Sequence, residues 1–178
     1  MTSDSVSVRG MVYASLFGAA TAAGAYIIIP LPPVPITLQT LFLCLAGTLL
    51  GAKLGALSQV VYILLGVIGL PVFAGGKAGL GVLFGPTGGY LFGFIAGAYV
   101  VGRIVEQLKN PGWIPLALSM VAGFLVVYLL GVVQLSLVAN LSIKKAVVVG
   151  ALPFLIGDAL KIAAAVFITL KLRSRIRL

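Results

Sequence analysis

Asp158 and Lys161 are the two residues of this chain whose type and place most call for a chemical explanation. They stand three positions apart in an otherwise apolar stretch, 145–172. An ionisable side chain in such a setting is costly to desolvate and points to a site. At a spacing of three on a helix the two share a face, about one turn apart, so they either neutralise each other or converge on a ligand. Lys161 would meet a ligand carboxylate and Asp158 a ligand N–H, so a small amphiphilic acid suits both. The plainer alternative is a structural ion pair, although such a pair in a poor solvent often fails to recover its desolvation cost. Gly157 beside them lets a helix or a ligand come close.

Further polar groups lie upstream. Thr37 and Gln39 follow directly on Pro30-Leu31-Pro32-Pro33-Val34-Pro35, a segment with four prolines in six residues. That density excludes helix and predicts an extended, stiff flap, under which Gln39 and Thr37 present an amide and a hydroxyl. Capping and interhelical hydrogen bonding are equally ordinary uses for them. A second irregular segment runs from Pro71 to Gly89, too rich in glycine for a helix and too apolar for a solvated loop. Irregular backbone at membrane depth is tolerated where it lines a cavity or is packed in protein, so this segment reads as a binding loop. Tyr90, at its end, offers an aromatic face and a hydroxyl to a ligand or to the membrane interface. Lys77 within it reads as a solvated loop charge.

The elements that must position these groups follow from composition. Of 178 residues, 61% are hydrophobic and 8% charged, and the mean hydropathy is +1.24. A membrane helix needs roughly 20 apolar residues, and breaks at glycine, proline and charge mark six apolar segments near 11–29, 36–52, 55–70, 88–105, 115–138 and 145–172. The prediction is an all-α membrane protein, one six-helix domain over 1–178. The polar start Met1–Gly10 is followed by no signal-peptide h-region or clear cleavage site, so the first segment is read as a retained helix.

The net charge of +9 is a matter of topology, not of nucleic-acid binding. Arg9, Lys53, Arg103, Lys109, Lys171, Arg173, Arg175 and Arg177 fall on one side of the six segments, against Lys77, Lys144 and Lys145 on the other. The positive-inside rule then puts both termini in the cytoplasm and loops 1, 3 and 5 outside.

Other chemistries are excluded. The chain has no histidine and a single cysteine, Cys44, inside an apolar run, which leaves no zinc site, disulfide framework or histidine catalysis. Gly75-Gly76-Lys77-Ala78 lacks the spacing and the hydroxyl of a phosphate loop. The chain is therefore expected to be no enzyme, to use no cofactor and to hydrolyse no ATP by itself. Helix 1 carries small residues in two rows, Ala14, Gly18 and Ala22 on one and Ala19 and Ala23 on the next. Such rows allow close helix contact, either within the chain or with a partner subunit.

Four ordered stretches carry a resemblance that spans nearly the whole chain: Pro30 to Thr40; Gly66-Val67-Ile68-Gly69-Leu70-Pro71-Val72-Phe73-Ala74-Gly75-Gly76; Gly85-Pro86-Thr87-Gly88-Gly89-Tyr90; and Pro153-Phe154-Leu155-Ile156-Gly157-Asp158-Ala159-Leu160-Lys161. They resemble the BioY family, the biotin-specific substrate-binding (S) components of energy-coupling-factor (ECF) transporters. The resemblance implies a six-helix bundle in the plasma membrane with an outward-facing biotin pocket under loops 1 and 3. Asp158 and Lys161 would belong to that pocket, and Tyr90, Gln39 and Thr87 complete the candidate substrate-binding set. It also implies partners: biotin, membrane lipid, a membrane-embedded coupling subunit met by Ala19 and Ala23, and two ATPases. A stand-alone secondary carrier for biotin or a related small carboxylate is the alternative, with the Asp158–Lys161 pair as its protonation switch. An assembly subunit binding no small molecule is a further one.

Overall fold

The computed structural model describes residues 7–173; Arg175 and Arg177 of the charge count lie outside them. Helix α1 (Val8–Gly24) starts at Ser7, whose hydroxyl accepts the Gly10 N–H at 3.0 Å, satisfying one of the free donors of the first turn. The segment expected to stay helical to 29 stops at Gly24, because Ile28–Ile29 (β1) pairs antiparallel with Ile36–Thr37 (β2). The proline-rich stretch is thus not a straight extended flap. It is the tip of a short hairpin, with a cis bond between Pro32 and Pro33. Prolines lack the N–H needed to carry the ladder beyond these four residues.

Helix α2 (Gln39–Val67) contains a sharp break at Gly51, where φ is 82° and ψ −176°. A side chain would strain this backbone, and glycine accepts it freely. The arms 39–50 and 52–67 fold back on each other. A Cβ placed on Gly55 would stand 3.0 Å from the Gly47 Cα, whereas residues eight apart in one straight helix are separated by about 12 Å. The break is tied to the end of α4 (Gly88–Glu106), where the Glu106 carboxylate accepts the Ala52 N–H at 2.7 Å.

A short helix, α3 (Gly81–Phe84), precedes α4, and α5 (Trp113–Val138) follows it. The chain closes with α6 (Ile143–Gly150), a 3-10 turn (Leu152–Phe154) and α7 (Leu155–Leu172). Among the described residues four helical stretches are long and apolar enough to cross a membrane: Gln39–Val67, Gly88–Glu106, Trp113–Val138 and Ile143–Leu172. Helix α2 packs on α1, α4 and α7, and α5 on α4, α6 and α7.

The packing gives the bundle two distinct ends. Gly10 abuts Leu54 and the Thr48 and Thr169 hydroxyls lie 2.9 Å apart, so Arg9, Lys53, Arg103 and Lys171 gather near the Gly51 bend. At the other end Gln134 of α5 donates to the Leu83 and Gly85 carbonyls at 2.7 and 2.8 Å, which sets Lys144 and Lys145 on the same side as Lys77.

Candidate functional site

The hairpin β1–β2, the loop 70–87 and the outer halves of α4, α5 and α7 surround a cavity of about 80 Å3 whose wall includes Gln39, Thr87, Tyr90, Asp158 and Lys161. The fold therefore brings all five sequence-derived candidates to one space, from segments up to 122 residues apart (39 to 161). Only their proximity follows from this; their hydrogen bonds differ in kind.

Asp158 and Lys161 are 5% and 8% exposed, and the Lys161 ammonium donates to Asp158 Oδ1 at 3.0 Å. Lys161 donates again to Thr40 Oγ1, also at 3.0 Å, while the Tyr128 hydroxyl donates to Asp158 Oδ2. Burial in low dielectric demands such partners, since an uncompensated charge there is very costly. An ammonium has three donors and a carboxylate about four acceptor sites. Among the described residues, two of each are used. One donor and about two acceptor sites thus remain for a ligand.

Tyr128 and Thr40 were not singled out by sequence reasoning. Thr40 sits inside the motif after the prolines, but nothing in its type distinguishes it from a helix-packing threonine. Tyr128 left a signal: a phenol in the middle of α5, the most apolar of the spans with a hydropathy of 2.5. Its ring is stacked on Phe154, with centroids 6.3 Å apart and an interplanar angle of 13°, which aims the hydroxyl at α7.

Gln39 is committed on both sides of its amide. Its oxygen accepts the Thr37 hydroxyl at 2.7 Å and its nitrogen donates to the Tyr62 hydroxyl, so it braces the hairpin against the second arm of α2. Tyr90 is 6% exposed, not an interfacial residue. Its hydroxyl donates to the Gly150 carbonyl at 2.8 Å, leaving only the ring for the cavity. Thr87 precedes α4 and makes no side-chain cap. The loop above is anchored by Phe73, 2% exposed, whose ring packs where Gly66 has no side chain and meets Tyr62 edge-on at 5.7 Å. Tyr26 at the end of α1 donates to the Pro71 carbonyl at 2.5 Å, joining the two irregular segments.

The small-residue rows of α1 separate in space. Ala14, Gly18 and Ala22 are buried against α2, with a Gly18 Cβ position 2.8 Å from the Ser58 carbonyl. Ala19 and Ala23 face outward.

The family model for BioY matches residues 1–178. The chain belongs to the BioY family. It is similar to the biotin transporter BioY of Thermotoga maritima, at 46% identity over 93% of this chain and 96% of that one. It is also similar to the probable biotin transporter BioY of Pyrococcus horikoshii, at 40% identity over 89% and 93% of the two chains. A crystal structure of the S component for biotin from an ECF-type ABC transporter superposes with a TM-score of 0.88, at 29% identity, covering 98% of this chain and 95% of that one. The family is one of multi-pass membrane transporters, not of enzymes.

The Tyr128 hydrogen bond has a measurable consequence for this BioY-family chain. Tyr128→Phe removes a donor to a buried carboxylate and is expected to lower stability by about 1.5–3 kcal/mol. Thermal unfolding in detergent checks this; an unchanged midpoint would mean that Asp158 finds another donor, such as water.

Proposed function

We propose that this chain captures biotin from outside the cell as the substrate-binding S component of an ECF transporter. The observation that carries the reading is the buried Asp158–Lys161–Thr40–Tyr128 cluster at one wall of a cavity whose remaining lining is mostly aromatic and aliphatic, with Thr37, Gln39, Lys77 and Thr87 as its other polar side chains. Biotin joins a ureido ring, with N–H donors and a carbonyl, to an apolar chain ending in a carboxylate. The free acceptor sites of Asp158 suit the N–H groups, the remaining Lys161 proton suits the carbonyl, and Phe94, Phe124 and Phe154 supply an apolar wall.

In this reading the arms 39–50 and 52–67 are separate spans. Together with α1, α4, α5 and the α6–α7 stretch they make six crossings of the plasma membrane within one domain. Both ends of the chain lie in the cytoplasm, as the gathering of basic residues near the Gly51 bend supports. Ala19 and Ala23, on the outward face of α1, receive the membrane-embedded coupling subunit, which carries two ATPases. Isothermal calorimetry on ligand-free protein in detergent is expected to give saturable one-to-one biotin binding. Folded protein that takes up no biotin would end this reading.

A further inference from the structure

The wall of the cavity carries three residues of charged type, Lys77, Asp158 and Lys161. Two of them cancel: Asp158 and Lys161 are paired at 3.0 Å. Lys161 spends a second proton on Thr40, which ill suits it to be the counter-charge of a ligand carboxylate. Among the described residues the wall keeps one uncompensated positive charge, on Lys77. The only other described carboxylate, Glu106, is held at the opposite end of the bundle by the Ala52 N–H.

The loop fixes where that charge stands. The Phe73 N–H donates to the Lys77 carbonyl at 3.0 Å, and the Gly76 N–H to the Phe73 carbonyl at 3.0 Å, closing a tight turn through Gly75 and Gly76 at φ 74° and 71°. Phe73 roots one side of the turn in the core beside Tyr62. On the other side the Gly79 N–H donates to the Gly66 carbonyl at 2.8 Å. Lys77 therefore rides on a pinned turn: its backbone is held at the cavity rim while its side chain stays exposed.

We infer that Lys77 is the carboxylate-recognising residue of this transporter, holding the ligand's acid group at the mouth while the Asp158–Lys161 cluster holds the ureido ring within. The assignment rests on the biotin reading and adds to it the direction of the ligand and a determinant for the anionic over the neutral form. Lys161 acts as the residue that orients Asp158. Because Lys77 is exposed, its attraction is screened by salt, whereas contacts to the buried cluster are screened much less.

The test is calorimetry on the purified full chain with two probes, biotin and its uncharged primary amide, for the wild type, Lys77→Met and Lys77→Arg. Lys77→Met is expected to weaken biotin by about tenfold, between the value of an exposed ion pair and that of a charged hydrogen bond, and to leave the amide unchanged. Lys77→Arg should retain most of the preference for biotin. In the wild type the preference for biotin over the amide should shrink as sodium chloride is raised, and in Lys77→Met it should be absent. Equal weakening of both probes would show that Lys77 only shapes the loop, and wild-type affinity for biotin in Lys77→Met would overturn the assignment alone. A wild type that binds neither probe would end the biotin reading and this assignment with it.

Discussion

Asp158→Asn and Lys161→Met should each weaken biotin binding by about a hundredfold, the equivalent of one or two lost hydrogen bonds to charged groups. Each should also lower stability by about 3–5 kcal/mol, because the surviving charge is left unpaired in the core. The two effects separate in the double variant. Removing both charges leaves neither uncompensated, so much of the stability should return. The binding should not, since the carboxylate charge with one of its two acceptor oxygens and the third Lys161 proton are lost together. Unfolding midpoints and biotin isotherms for the two single variants and the double variant check this. Folded single variants with wild-type affinity and selectivity would make the pair a structural bridge.

The second large effect concerns uptake with binding preserved. Ala19→Leu and Ala23→Leu place bulk on the outward face of α1, away from the cavity. Overpacking a close helix contact costs about 1–3 kcal/mol, which is roughly 5- to 150-fold in assembly. Uptake in vesicles and co-purification with the coupling subunit should fall, and biotin affinity should hold. Gly18→Leu is the contrast: its side chain would collide with the Ser58 carbonyl, so the protein itself should lose stability. Normal assembly and uptake by both alanine variants would show that this face is not the docking surface, and parallel loss of biotin affinity would place these residues in the packing of the bundle.

Much of the polar lining of the cavity was legible because intramembrane polarity is rare. Asp158 and Lys161 stand out against an apolar background, and Gln39, Thr87 and Tyr90 lie in segments that proline or glycine make irregular. Their hydrogen bonds were not legible. Tyr90 spends its hydroxyl on Gly150 and Gln39 its amide on Thr37 and Tyr62, pairings set by helices remote in sequence. Lys77 read as a solvated charge, and it is indeed exposed; its place on the cavity wall depends on a turn rooted by Phe73.

The sequence by itself determined that the chain partitions into a membrane, because hydropathy is a sum over residues and needs no partner. It also marked the reversal near Gly51, since glycine relaxes the backbone locally, whereas the end of α1 at Gly24 and the interruption between α6 and α7 were set by the assembled fold. The tertiary structure alone decided which of two equivalent rows on α1 is buried, for Ala14 and Ala19 differ only in what faces them. It likewise decided that Tyr128 and Thr40 complete the buried pair. A charge in low dielectric must find its donors and acceptors wherever the packing brings them, and that is a property of the assembled bundle rather than of any one segment.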